Sequence, residues 1–190
     1  MPTPVVFAPM RVELWALRRG FPKSQVVRVG MGRERSLAAV DRVKKNAAYD
    51  IVIVGGVCGS LDPALTSKQV LIASEVRAQD VGTIACTDPT GLARHLADAG
   101  FDTRVGPIAS VPKLEFAKDA HDGLRDAGAV AVDMESAWLA TAAGDRPVHV
   151  IRIPSDGPSE PLMHPGVVVW GTRSLFALGR VSRALARWLG

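Results

Sequence analysis

Three stretches of the sequence place carboxylates directly after short apolar runs. Glu13, with Met10 before it, follows Val5–Ala8. Asp133, Met134 and Glu135 follow Ala129–Val132. Ser155 and Asp156 follow Val148–Ile153. A fourth stretch, Gly55-Gly56-Val57-Cys58-Gly59-Ser60, follows Ile51–Val54 and carries little side-chain bulk. If the apolar runs are neighbouring strands, these residues meet beyond the strand carboxyl ends, where open α/β sheets bind ligands. Carboxylates gathered there can accept hydrogen bonds from a ligand and can move protons to and from it. Taken singly, each has an ordinary explanation: a Glu at a helix start complements the helix dipole, an Asp before Gly makes a turn, and a Met fills core space. Several acids at one sheet edge form a more specific signal than any one of them.

The elements that must position these residues follow from periodicity. Short apolar runs at Val5–Ala8, Gln25–Val29, Ile51–Val54, Val70–Ala73, Thr103–Ala109, Ala129–Val132 and Val148–Ile153 read as strands. Between them lie helical stretches at Val12–Arg19, Glu34–Ala48, Asp88–Ala99, Phe116–Ala127 and Met134–Ala143, with a last helix over Thr172–Leu189. Leu37, Val40, Val43 and Ala47 have the spacing of one buried helix face. Ile51–Val54 is β-branched without polar alternation, as in a strand covered on both faces. Strands alternating with helices predict an α/β layered fold with a largely parallel sheet. No repeat or linker divides the chain, so residues 1–190 are expected to form one domain.

Composition narrows the function classes. The chain has 190 residues, 47% hydrophobic and 22% charged, close to globular averages. No apolar stretch approaches the ~20 residues that span a bilayer. No basic-then-apolar leader opens the chain, which predicts a cytoplasmic protein. Cys58 and Cys86 are too few for a disulfide framework, and no CxxC pair is present. The four histidines, His95, His121, His149 and His164, lack metal-ligand spacing, and no metal or cofactor is expected, although His164 follows the Asp156 loop. Net charge is +4. Nucleic-acid binding asks for a denser basic face with stacking aromatics, and only one Tyr and five Phe are present. Arg180, Arg183 and Arg187 form one stripe of the last helix, with Leu178, Val181, Leu185 and Trp188 on another. Such a helix can rest on a membrane surface, but capping the sheet with its charges in water is the commoner use.

The segment Ala131-Val132-Asp133-Met134-Glu135-Ser136-Ala137 resembles the V-[DE]-M-E-[AS]-A signature of the purine nucleoside phosphorylase and nucleosidase superfamily. Arg152-Ile153-Pro154-Ser155-Asp156 resembles its R-x-x-S-D segment, and Gly56-Val57-Cys58-Gly59 its G-[ST]-[AC]-G turn. Ala8-Pro9-Met10-Arg11-Val12-Glu13 is similar to the A-M-x-x-E segment of methylthioadenosine/S-adenosylhomocysteine nucleosidases. The resemblance implies cleavage of the N-glycosidic bond between ribose and a purine through an oxocarbenium-like transition state. It implies Asp156 as general acid at the purine N7 and Glu13 as the group that deprotonates water. Glu135 would hold the ribose hydroxyls, with Met134 against the sugar, Gly59 offering close backbone approach and Ser155 steadying the acid. Met10 and Asp133 complete the implied substrate-binding set. The resemblance also implies a three-layer α/β/α sandwich around a central mixed, largely parallel sheet, and a homo-oligomer, since relatives are dimers, trimers or hexamers.

Phosphorylases of this superfamily need an Arg and a Ser for phosphate where this chain has Val54 and Val57, neither of which can bind an anion through its side chain. Arg33 or Arg35 is the available substitute cation. Hydrolysis is therefore expected, with phosphorolysis the alternative and a non-catalytic nucleoside-binding protein the rival from another class. Retention of both Glu13 and Asp156 speaks against that rival. The nucleosidase S-G-D-x-F segment, whose Phe stacks on the base, is replaced by Ser110-Val111-Pro112-Lys113-Leu114-Glu115-Phe116, with Leu114 or Phe116 as the apolar face. This divergence and the short chain suit a specialised member, such as the branch acting on adenosylhopane. Neither GxGxxG nor GxSxG is present, which excludes a dinucleotide module and a serine hydrolase of those types.

Overall fold

A computed structural model describes residues 2–113, 118–156 and 167–190, without the side chains of Lys118, Asp156 and residues 167–173. The chain alternates strands and helices in the order β1 (Pro4–Ala8), α1 (Arg11–Leu17), β2 (Val26–Arg28), α2 (Arg33–Asn46), β3 (Ile51–Ser60), β4 (Val70–Ala78) and β5 (Gly82–Ala85). It continues with α3 (Pro89–Asp98), β6 (Thr103–Ser110), α4 (Lys118–Asp126), β7 (Ala131–Asp133), α5 (Ser136–Ala140), β8 (Val148–Asp156) and α6 (Val167–Leu189). The described strands form one eight-stranded sheet in which β3 runs beside β1 and β8, while β4 joins β8 to β6 and the edge strand β5.

The pairing is mixed, as expected. β1 with β2, β1 with β3, β3 with β8, β4 with β6 and β6 with β7 are parallel. β3 with β7, β4 with β5 and β4 with β8 are antiparallel. Two apolar layers sandwich the sheet. Val40 and Val43 of α2 and Trp138 and Leu139 of α5 pack on one face. Leu14 and Leu17 of α1, Leu92 and Leu96 of α3, and Leu178, Val181 and Leu185 of α6 pack on the other. The apolar stripe of α6 thus caps the sheet, as its spacing predicts.

Several elements differ from their sequence prediction: β8 runs on to Asp156, α5 is cut to Ser136–Ala140, α6 starts at Val167, and two further differences concern β3 and β5. β3 does not stop at Val54 but continues through the glycine-rich segment to Ser60, parallel to β8 and then antiparallel to β7. Gly55, Gly56 and Gly59 keep negative φ, so they form no turn. They serve close approach instead: a Cβ on Gly55 would stand 2.7 Å from Leu17 Cδ2, which lets α1 lie directly on the strand. The second difference is the β4–β5 hairpin. β5 is exposed at the sheet edge and lacks the apolar run that marks a buried strand.

Candidate active site

The N-terminus of α1 meets the carboxyl end of β3 through Glu13. Its carboxylate accepts hydrogen bonds from the Met10 backbone N–H at 2.6 Å (Oε2) and from the Val57 N–H at 2.8 Å (Oε1). Both donors belong to residues that the sequence places just past strands or within the glycine segment. The residue is 1% exposed. Burial raises its pKa above the usual carboxylate range, against the pull of Arg152 and the two backbone donors.

β7 and α5 deliver the second group of acids. Asp133 ends β7, and its Oδ1 accepts from Ser110 Oγ at 2.6 Å, Glu135 N at 3.1 Å and Ser136 N at 3.0 Å. Ser110 Oγ in turn accepts from Ala137 N at 2.9 Å. This web ties the end of β6 to the start of α5. Asp133 Oδ2 lies 2.9 Å from Arg152 Nη2, an ion pair in distance that is not aligned as a hydrogen bond. Asp133 is thereby held from within the protein, and its Oδ1 fixes the backbone of Glu135. Glu135 is buried, and its Oε1 accepts from the Gly32 N–H at 3.0 Å. Met134, between the two acids, is half-buried and sets its Cε near Gly32.

Arg152 joins these groups. It is fully buried within β8, and its Nε and Nη2 donate to Ser136 Oγ at 3.1 and 2.9 Å. Nη2 also stands 3.7 Å from Glu135 Oε2. Burial disfavours its charge, yet Asp133, Glu135 and Glu13 together outweigh that penalty and raise its pKa. Arg152 pairs in register with Gly56 of β3. A Cβ on Gly56 would stand 2.2 Å from Arg152 Nη1 and 2.5 Å from Glu13 Oε1, so the missing side chain opens the path by which the guanidinium approaches Glu13. Among the described residues Nη1 has no hydrogen-bond partner, which leaves a buried N–H donor beside the Glu13 carboxylate.

The structure thus gathers Glu13, Glu135 and Asp133 around one guanidinium, with Met10 and Met134 at the margin. Gly59 lies in β3 opposite Val132 on one side and Asp156 on the other, so Asp156 ends β8 against the glycine segment; its side chain is outside the described residues. Ser155 is half-buried and donates to the Cys58 carbonyl at 3.3 Å. His164, Leu114 and Phe116 also fall outside the described residues. Arg33 pairs with Asp80 at 2.7 Å, and Asp80 Oδ1 accepts from Trp138 Nε1 at 3.0 Å. A groove of 640 Å³ opens there, lined by Arg33, Asp80, Trp138, Ser110, Val111 and Pro112.

Arg152, Ser136, Ser110 and the Gly32 N–H were not assigned roles from the sequence. Arg152 had a usable signal: a lone cation within the apolar run Val148–Ile153 must find buried partners if that strand is central. The serines and the backbone donor carry no such signal.

Burial pushes the Glu135 pKa up to about 7, with Arg152 opposing the rise and Asp133 adding to it. Between pH 4.5 and about 7 the unfolded chain has released this proton while the folded chain still holds it. The folded state then binds more protons, so this group's contribution to stability is complete below 4.5 and is lost as pH rises through about 7. Glu135→Gln should flatten the fall in Tm across that window. An unchanged slope in the variant would exclude Glu135 as its source.

The family model of the phosphorylase superfamily matches residues 22–167, which covers β2 through the start of α6. The chain belongs to the phosphorylase superfamily. The matched span holds Glu135, Arg152 and Asp156 but not Glu13, which joins the site through the fold alone. Solved structures share this fold over nearly the whole of both chains. A Campylobacter jejuni 5′-methylthioadenosine/S-adenosylhomocysteine nucleosidase aligns at TM-score 0.83 and 14% identity, over 98% of this chain and 100% of that one. Futalosine hydrolase of Helicobacter pylori aligns at TM-score 0.82 and 17% identity, over 99% of each chain. The Neisseria meningitidis 5′-methylthioadenosine/S-adenosylhomocysteine nucleosidase, in complex with methylthio-immucillin-A, aligns at TM-score 0.81 and 18% identity, over 100% of this chain and 99% of that one. No curated protein matches the chain in sequence.

Proposed function

We propose that this superfamily member is a nucleosidase that hydrolyses the N-glycosidic bond of an adenosine-type nucleoside. The observation that carries the proposal is the buried gathering of Glu13, Asp133 and Glu135 around one guanidinium, Arg152. Glu135 accepts hydrogen bonds from the ribose hydroxyls, a role supported by its Oε2, which faces Arg152 at 3.7 Å, more loosely than Oε1 faces Gly32 at 3.0 Å. Glu13 is the general base for a water that the Arg152 Nη1 N–H can also hold. Asp156, at the end of β8 beside Gly59, is the general acid that protonates the departing base. Positive charge grows on the ribose as the bond breaks, and carboxylates around it stabilise that charge electrostatically.

Water is favoured over phosphate for a specific reason. Arg152 is already opposed by three carboxylates and Arg33 pairs with Asp80, so of the two substitute cations only exposed Arg35, against Gly30, remains to meet a phosphate. Val57 offers its backbone N–H to Glu13 and has no hydroxyl. The relatives of like fold are named for 5′-methylthioadenosine, S-adenosylhomocysteine and futalosine. Exposed Met31 and half-buried Met134 beside Gly32 offer apolar surface that suits an apolar 5′ substituent, the methylthio group or the hopane of adenosylhopane, rather than a charged one.

The test is release of free base from 5′-methylthioadenosine, S-adenosylhomocysteine, futalosine and adenosylhopane, each with and without phosphate. We expect release that is independent of phosphate and is cut at least a hundredfold by Asp156→Asn. Saturation by phosphate with a ribose-1-phosphate-type product would make the enzyme a phosphorylase. Binding in calorimetry without release of base would make it a nucleoside-binding protein.

A further inference from the structure

The face formed by α1 and α6 carries large apolar side chains in water. Trp15 is 62% exposed, Phe176 66% and Val12 41%. Val12, Trp15 and Arg19 are spaced three and four residues apart and so share one side of α1 and its following turn. Arg19 continues that stripe onto the neighbouring helix, its guanidinium carbon standing 5.4 Å from the Phe176 ring centroid. On α6, Phe176, Arg180, Arg183 and Arg187 repeat at four, three and four residues, and all four are exposed. The two helices are held side by side, since Ser182 Oγ donates to the Ala16 carbonyl at 3.2 Å and Gly179 leaves room for the Arg19 stem.

The charge on this face has one sign. Residues 11–28 contain Arg11, Arg18, Arg19, Lys23 and Arg28, and their only acid is Glu13, which is buried in the active site. Residues 167–189 contain no acid at all. The next helix along, α3, adds Arg94 and Asp98, which balance one another. Aromatic and aliphatic side chains standing among cations fit a surface that is negative outside and apolar beneath.

We propose that the α1–α6 face docks on an anionic lipid bilayer, with Trp15 and Phe176 entering the headgroup region and Arg19, Arg180, Arg183 and Arg187 against the lipid phosphates. No helix among the described residues is long and apolar enough to cross a membrane, so the contact is peripheral. A two-fold contact with a second copy through this face would set its arginine stripes against one another. The docking stands independently of the chemistry assigned to the site.

The experiment is co-sedimentation of the full chain with vesicles of phosphatidylcholine alone or with phosphatidylglycerol added. Partition should appear only with the anionic lipid. Arg180→Glu with Arg183→Glu should weaken it at least tenfold, whereas Lys44→Glu with Lys45→Glu, an equal charge change on exposed positions of α2, should change it less than twofold. Brominated lipid should quench emission of the wild type more than that of Trp15→Phe. Equal losses from the two reversals, or partition without Trp15 quenching, would reduce the effect to net charge and overturn the proposal. Absence of partition would overturn it too, as would self-association in sedimentation velocity that Trp15→Ser abolishes.

Discussion

Glu13→Gln is expected to lower kcat/KM for base release by about a thousandfold, within the range general-base catalysis contributes. The substitution keeps size and shape but removes the proton-accepting oxygen. Glu13 now receives two backbone N–H groups, from Met10 and Val57, one on each oxygen. A Gln can accept only one of them, and its amide N–H₂ then faces the other donor. The structural cost is one net hydrogen bond, about 1 kcal/mol. For a chain of this size that lowers Tm by about 2–4 °C. A large loss of rate with a small loss of Tm therefore separates chemistry from folding. A drop in kcat/KM below tenfold would remove Glu13 from the reaction.

The second large effect concerns stability. Arg152→Met should destabilise the protein by about 3–5 kcal/mol, because it leaves buried carboxylates without their counter-charge. Asp133 and Glu135 lie 2.9 and 3.7 Å from the guanidinium, and Ser136 Oγ loses both of its donors. At a few degrees per kcal/mol the expected fall in Tm is about 10 °C. Adding Asp133→Asn and Glu135→Gln to the same chain should recover part of the loss, since the unpaired charges are then gone. A single variant within about 2 °C of wild type in thermal melts would show that the ionic cluster contributes little. Arg152→Lys should fall between the two, because an ammonium cannot span Ser136, Asp133 and Glu135 as the planar fork does.

Much of the scaffold was legible in the chain itself. Ile51–Val54 is apolar without alternation, as in a strand covered on both faces. The Leu178, Val181 and Leu185 stripe of α6 and the Val40 and Val43 stripe of α2 are buried, as helical periodicity requires. The glycine-rich segment misled, because glycine signals both turns and close approach, and composition does not distinguish them. Gly55 and Gly56 are there for Leu17 and Arg152, which are distant in sequence.

The carboxylates were recognisable from residue type and order: Asp133 and Asp156 end strands, Glu135 follows Asp133 by two residues, and Glu13 lies in the first turn of the helix after β1. What each does was set by contacts made across the sheet. Asp133 has the same chemistry as Glu135, yet Ser110, the α5 backbone and Arg152 engage its oxygens, while Glu135 is held at Gly32 and by the outer reach of Arg152. Local sequence dictates periodicity and residue type, so strands, helices and the list of acids follow from it. The role of each acid depends on burial and on partners up to 103 residues away in the chain. Only folding brings those partners within hydrogen-bonding distance, and only there does low polarity let burial and a single guanidinium shift the charge of Glu13 and Glu135.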